Sequence, residues 1–253
     1  MTKTFKNILL PVGIFIIVLS LWEISTIAFD IPIYLLPAPS VIFSKLISEF
    51  SSVLPHLWIT TLESFLGFIF GAFFGWLIAV AFNFSSSIEK AFYPYAIGLK
   101  SIPIVALAPL LIVWLGNGLA PKIIIAAIIS FFPVVVNVTK GFKNVDAEAL
   151  DLFKSLSATK YQIFKELQIF NSLPYLFSAL KISATLAVIG AIVGEFSGSD
   201  KGLGFYILIS SHRLETVDMF IGIILASLLG LLFFYAVGII EKLFTPWSNK
   251  NIN

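Results

Sequence analysis

The feature that most constrains this chain is a succession of apolar runs, each close to the length a helix needs to cross a bilayer. At 1.5 Å rise per residue, about 20 residues cover the hydrocarbon core. Ile8–Phe29 qualifies, with Glu23 near its far end, and Leu57–Phe82 qualifies, interrupted by Glu63. Phe92–Leu115 is the irregular one, since it carries Lys100, Pro103 and Pro109. Pro121–Thr139 follows a Gly116-Asn117-Gly118 turn, and Pro174–Phe196 and Val217–Ile240 complete the set. The expected fold is therefore all-α, a polytopic membrane protein of six transmembrane helices. Composition agrees: 58% of the 253 residues are hydrophobic and 26 are Phe. A water-soluble domain of this size has nowhere to hide that much apolar side chain. With no cysteine, disulfides and thiolate metal sites are excluded. A net charge of +2 is too small to point to nucleic acid.

Lysine placement orients the spans. With a cytoplasmic N-terminus, the inside segments carry Lys3, Lys6, Lys90, Lys140, Lys143, Lys154, Lys160, Lys165, Lys242 and Lys250. The outside segments carry only Lys45, Lys122, Lys201 and Arg213. Ten against four is the bias of the positive-inside rule, and the reverse orientation inverts it. No small-x-small cleavage site follows the first run, so it reads as a retained helix rather than a signal peptide. Both termini are expected in the cytoplasm. Residues 1–56 form a first unit, comprising one span and an outside loop. Within that loop Pro39-Ser40 opens a short helix to Phe50, read mainly as lying along the membrane interface and otherwise as a dock for an outside partner. Residues 57–247 form the five-span core, which includes a cytoplasmic segment at 144–170.

Two patterns concern the interior. Gly67, Gly71 and Gly75 recur every four residues, as do Gly190 with Gly194 and Gly222, Ala226 and Gly230. Such stripes let helix backbones approach closely where the hydrophobic effect cannot drive association. Charges within spans cost about 2.5–3.5 kcal/mol each at the bilayer centre and so need partners or water. Lys181 is placed to snorkel back to the cytoplasmic face, and Glu195 to meet headgroups at the outer end of its span. The competing reading is a polar translocation path lined by Lys100, Ser101, Pro103, Asn137, Thr185 and Glu195. Pro103 and Pro109 fit that reading, because broken backbone at membrane depth is tolerated where protein or a water-filled cavity covers it.

The stretch Asp146–Phe170, DAEALDLFKSLSATKYQIFKELQIF, is too polar to span and too apolar to float free. Asn144 is suited to cap a helix from Val145 to Leu156. Thr159 and Gln162 have capping-box spacing, so a second helix should start near Lys160. Ser157-Ala158 then forms a corner. Two short helices with a tight corner make a cytoplasmic protrusion, suited to docking a partner, whereas a helix resting on headgroups needs no corner.

This segment resembles the cytoplasmic signature loop of bacterial ABC-importer permeases, Glu-Ala-Ala, three residues, Gly, nine residues, Ile, one residue, Leu-Pro. Asp151-Leu152-Phe153, Ser157, Leu167 and Ile169-Phe170 fall on those positions, with Ser157 in place of the glycine and Phe170 in place of the proline. Pro174 preserves a second proline seen in the branch that imports sulfonates, taurine, nitrate and pyrimidine or flavin vitamin precursors. Leu36-Pro-Ala-Pro-Ser40, Ser101-Ile-Pro-Ile-Val-Ala-Leu-Ala-Pro109 and its continuation to Gly116, Phe131–Asn137 and Gly190–Asp200 are similar to segments of the same branch. The resemblance runs from about Leu35 to Trp247. It implies that Asp151, Leu152, Phe153, Lys154, Ser155, Leu156, Ser157, Ala158, Thr159 and Tyr161 form a coupling element seated in a groove of a cytoplasmic ATPase dimer. It also implies a permease homodimer and an extracytoplasmic substrate-binding protein.

The chain is not expected to be an enzyme or to bind a cofactor, since ATP would sit on the partner ATPase. No Gly-x-x-x-x-Gly-Lys-Ser/Thr loop is present, and Gly198-Ser-Asp-Lys-Gly-Leu-Gly204 has the wrong spacing and reads as a turn. An ion-driven secondary transporter is the alternative, with Glu63 and Glu195 as its coupling acids, although no inverted repeat is evident. A membrane enzyme has only His56 and His212 to draw on. The resemblance favours a thiamine-precursor pyrimidine or a riboflavin-type vitamin as cargo, with sulfonate, taurine or nitrate as the alternative.

Overall fold

A computed structural model of the protein describes residues 2–100 and 102–246; the side chains of residues 2–8, 96, 97, 99 and 100 lie outside that description. All regular structure among the described residues is helical. The elements are α1 (Thr2–Ala28), α2 (Pro39–Ser48), α3 (Phe50–Phe84), α4 (Ser86–Lys100), α5 (Ile104–Leu115), α6 (Leu119–Lys143), α7 (Ala147–Ser155), α8 (Lys160–Ile163), α9 (Ile169–Ser197), α10 (Leu203–His212) and α11 (Thr216–Phe244). A π-helical turn, Phe164–Gln168, joins α8 to α9 without a break.

Among the described residues, five helical stretches are long and apolar enough to cross a membrane: α1, α3, α6, the rod from Lys160 to Ser197, and α11. The remaining expected span, Phe92–Leu115, is two shorter helices. α4 ends at Lys100 and Pro103 is the N-cap of α5, with φ −61° and ψ 108°. Proline has no N–H to continue the ladder and pushes its predecessor out of the helical region. Pro109, by contrast, is accommodated inside α5.

α6 packs against both α3 and α9, which also touch each other. The α3 glycine stripe forms the first seam. A Cβ built on Gly67 would lie 2.4 Å from Ala126 Cβ, one on Gly71 2.5 Å from the Ala127 carbonyl, and one on Gly75 2.9 Å from the Phe131 carbonyl. The second seam repeats this with α9: a Cβ on Gly190 would lie 2.7 Å from Ala126 Cα. These contacts are closer than any side chain permits, so glycine here sets the distance between helices. The α11 stripe is used only in part. Gly222 abuts Ile207, with a Cβ 2.5 Å from Cγ1, while Gly230 has nothing within 4 Å. Ser130 on α6 and Ser183 on α9 cross-link the second seam by exchanging hydroxyl-to-carbonyl hydrogen bonds of 2.7 and 3.1 Å.

The bundle has two distinct ends. At one, α2 sits in a buried cluster of Ile42, Val53, Leu203 and Ile221. It is therefore docked on the bundle, while Phe43 and Ile47 remain 65% exposed. Lys45 clamps it, its Nζ 2.7 Å from Asp218 Oδ2, while the Tyr206 hydroxyl donates to Asp218 Oδ1 at 2.9 Å. Burial alone would lower the Lys45 pKa, but the hydrogen bond and charge of Asp218 outweigh it and hold the ammonium above its ordinary value. Glu23 on α1 accepts from the Ser40 backbone N–H at 3.0 Å and the Ser40 hydroxyl at 2.6 Å, so its charge meets the N-terminus of α2. At the other end Lys181 pairs with Glu241, near the end of α11, at 2.8 Å.

Candidate coupling corner and cavity

The corner is built by local chemistry. Asp146 caps α7, its side chain accepting from Glu148 N at 3.3 Å. Asn144, the expected cap, instead terminates α6. Its carbonyl accepts from Asn171 Nδ2 at 3.0 Å and its side chain donates to the Tyr175 hydroxyl. α7 ends in a Schellman motif: Ala158 N donates to the Phe153 carbonyl at 3.0 Å and Ser157 N to the Lys154 carbonyl at 2.9 Å. Ser157 is the residue at C′, with φ +56°, the left-handed region in which glycine is cheapest. A capping box follows as expected. Thr159 Oγ1 accepts from Gln162 N at 3.3 Å, and Gln162 Oε1 accepts from Thr159 N at 2.7 Å.

The second arm of the protrusion is not a separate short helix. It runs from Lys160 through the π-turn into α9, a rod of 38 residues. The π-turn adds a residue to one helical turn. At that turn Phe164 is buried, its ring 4.9 Å from Phe84 and 5.4 Å from Phe142. Gln168 accepts from Asn83 Nδ2 at 2.7 Å and donates to the Phe142 carbonyl at 3.2 Å. The root of the arm is thus fixed and its tip is free. At the tip Leu152 is 59%, Tyr161 64% and Leu156 72% exposed. Asp151, Lys154, Ser155, Ser157 and Thr159 are also exposed, with an Asp151–Lys154 pair at 3.0 Å, while Phe153 and Ala158 are half-buried. Three apolar side chains standing free around a well-capped corner can dock, but they carry no proton-transfer or nucleophilic chemistry.

Among the described residues, those proposed for a path lie in different places. A cavity of about 570 Å³ lies between α5, α6 and α9, lined among others by Ile104, Phe132, Asn137 and Ile182. That volume falls in the range of small-molecule sites. Asn137 is its polar feature, with Nδ2 donating to the Pro133 carbonyl at 2.8 Å. Pro103 stands at its rim between the lining residues Ile102 and Ile104. Thr185 lines a different hollow, beside α10 and α11, and its hydroxyl donates to the Ile182 carbonyl at 2.8 Å. Ser101 and the Lys100 side chain lie outside the described residues.

Glu195 lines neither hollow, and it does not reach headgroups: it is 1% exposed. Its Oε1 accepts from Thr60 Oγ1 at 2.6 Å, and its Oε2 accepts from Gly204 N. Thr60 in turn accepts from Leu203 N at 2.7 Å, so one carboxylate and one hydroxyl hold the turn before α10 onto α3. Gly202, at φ +111°, donates its N–H to His56 Nδ1 at 3.2 Å; residues 198–202 form a non-helical connection, whereas Leu203 and Gly204 open α10. Thr60 was missed as a partner of Glu195, and Lys122 spends its hydrogen bonds on the Asn117 and Gly118 carbonyls. The one signal in the sequence was the cost of Glu63 and Glu195 within spans, which demands partners without naming them.

Residues 67–247 match the family described as binding-protein-dependent transport system inner membrane component. The formylaminopyrimidine transport permease protein ThiX of Halalkalibacterium halodurans is 33% identical over 241 residues, covering 95% of this chain and 96% of that protein. The riboflavin transport system permease protein RibX of Chloroflexus aurantiacus is 28% identical, covering 94% and 90%. Among solved structures, an inward-facing conformation of the MetNI methionine ABC transporter aligns with TM-score 0.68 at 19% identity, covering 76% of this chain and 96% of that chain. The helical bundle, the capped corner at Ser157 and these matches agree, and the chain belongs to the binding-protein-dependent transport system inner membrane component family, as the multi-pass permease subunit of an ABC importer.

Proposed function

We propose that the chain couples through its corner to a cytoplasmic ATPase dimer, which alone binds and hydrolyses ATP. Leu152, Leu156 and Tyr161 enter the ATPase groove, with Asp151, Phe153, Lys154, Ser155, Ser157, Ala158 and Thr159 forming the remainder of the contact. The observation that carries this reading is the exposed apolar tip on an arm continuous with α9. Motion at the tip then passes along one rod to the centre of the bundle, with no flexible joint to absorb it. In this reading the corner and both termini are cytoplasmic, and the α2 end faces outward. A substrate-binding protein delivers cargo to that outer end, and a second copy of the chain completes the path. Residues 1–56 brace the outer end of the core formed by 57–247.

The cargo we infer is a thiamine-precursor pyrimidine, with a riboflavin-type vitamin as the second candidate. The names of ThiX and RibX support it, although sulfonate, taurine and nitrate permeases also match, and so does the described lining of the cavity, which is apolar apart from Asn137. Such a surface suits a neutral heteroaromatic ring better than a sulfonate or nitrate, which would need fixed positive charge. The test is reconstitution of the permease with its ATPase and binding protein in liposomes. Uptake of formylaminopyrimidine that requires ATP and the binding protein is expected. Uptake of taurine or nitrate in its place would overturn the cargo, and uptake driven by an ion gradient without ATP would overturn the coupling. A reporter inserted near Ser199 should lie outside and one after Asn253 inside; a cytoplasmic reporter at Ser199 would reverse the orientation.

A further inference from the structure

Three ionisable side chains meet at the α2 end with almost no access to solvent: Glu63 is 0%, Glu195 1% and Lys122 2% exposed. Lys122 Nζ donates to the Asn117 carbonyl at 2.7 Å and the Gly118 carbonyl at 3.0 Å, and its charge acts on both carboxyls. The Glu195 oxygens are supplied by Thr60 and Gly204. Those of Glu63 are not: neither Oε1 nor Oε2 has a donor among the described residues. Glu63 lies one turn beyond Thr60 on the same face of α3, and Thr60 donates to Glu195 Oε1 at 2.6 Å, so the Glu195 carboxyl is the ionisable group beside Glu63.

Two ionised carboxylates are both acceptors, so they cannot bond to one another. A carboxylate buried without a donor costs several kcal/mol, and a like charge beside it raises that cost. One proton removes both penalties, because it supplies the missing donor and leaves one carboxylate balanced by one ammonium. The other groups facing the cluster do not replace it. His56, one turn before Thr60 on α3, spends Nδ1 on Gly202 N and has its ring against Phe205 and Tyr206. Lys201, in the turn, acts on His56.

We propose that Glu63 and Glu195 hold one bound proton between them, Glu63 donating and Glu195 accepting, so that α3, α6, α9 and the turn before α10 meet in a neutral cluster. Neither carboxyl lines the cavity between α5, α6 and α9, so this proton is structural and is not cargo-coupled. Glu63→Gln keeps an N–H donor at the same place and should be tolerated. Infrared spectroscopy of the purified protein in an ester-free detergent at neutral pH, where exposed carboxyls are ionised, tests the proposal. The parent should show the carbonyl stretch of one protonated carboxyl, shifted by isotopic labelling of glutamate. Glu63→Gln should lose that band while retaining parent-like membrane levels and melting temperature. Glu195→Gln should lose the band as well, because Glu63 is then the one carboxylate that balances Lys122 and the introduced amide can supply its missing donor. A parent without the band, or a band that survives in either variant, would overturn the proposal.

Discussion

The two ends of the molecule treat polar groups in opposite ways. At the α2 end, Thr60, Glu195, Gly204, Lys45, Asp218 and Tyr206 spend their hydrogen bonds on one another, and most are buried. At the corner, Ser157, Thr159 and Gln162 spend theirs on the adjacent backbone, and the apolar side chains around them stand in solvent. The buried polar groups of the first end are closed by long-range contacts with one another. The second has its shape set locally, which leaves its surface free for another chain. A damaging substitution should therefore lower stability at the α2 end, and at the corner it should lower coupling without touching stability.

The largest effect is expected on the seam that connects the two ends. In Gly71→Leu the first side-chain atom already lies 2.5 Å from the Ala127 carbonyl and 2.8 Å from Ser130 Cβ. The helices must separate, and the cost should reach or exceed the roughly 1–3 kcal/mol of ordinary overpacking. Membrane levels and monodispersity on gel filtration should both fall. A variant that purifies and transports like the parent would mean that α3 does not lie against α6.

Thr60→Val removes one hydroxyl and strands two buried groups, Glu195 Oε1 and Leu203 N–H. Each stranded group costs about 1–3 kcal/mol, so a clear fall in melting temperature is expected. The protein that survives should retain ATPase binding, because the lesion is at the closed end. Loss of ATPase binding with unchanged stability would erase the contrast between the ends.

Ser157→Gly should act least and in the opposite direction. A non-glycine residue at positive φ costs roughly 1–2 kcal/mol relative to glycine, and only this corner gains. The corner should become slightly more resistant to proteolysis, with no change at the α2 end. Increased cleavage there would show that the serine side chain contributes a contact worth more than the backbone relief.

What was legible in the sequence divides along the same line. The apolar runs, the break at Pro103, the capping box at Thr159 and the turn at Ser157 depend on residues within a few positions of each other, and all are seen. The partners of charged groups depend on tertiary placement. Glu195 finds Thr60 across 135 residues and Lys181 finds Glu241 across 60, distances over which spacing carries no information. Asn144 and Asp146 are both good capping residues, and the hydrogen bonds of Asn144 with Asn171 and Tyr175 decided between them. The continuity of α8 with α9 was hidden by Lys165 and Glu166, which made the junction look too polar to belong to a span although both point to solvent. The division of the proposed path residues between two hollows and a buried cluster was beyond a linear reading for the same reason.

The central claim is that the corner is a coupling element rather than part of the bundle's own support, and Ala158→Asp tests it most directly. Ala158 follows Ser157 at the tip, and its N–H bond to Phe153 is made by backbone, so the substitution leaves the fold intact. Placed in an ATPase groove, the new carboxylate would be an unpaired charge at a tight contact, costing several kcal/mol of binding. The variant should reach parent-like membrane levels and melting temperature, fail to co-purify the ATPase and show no ATP-driven uptake. Full uptake with the ATPase still bound would contradict the account and leave Asp146–Phe170 as a surface helix.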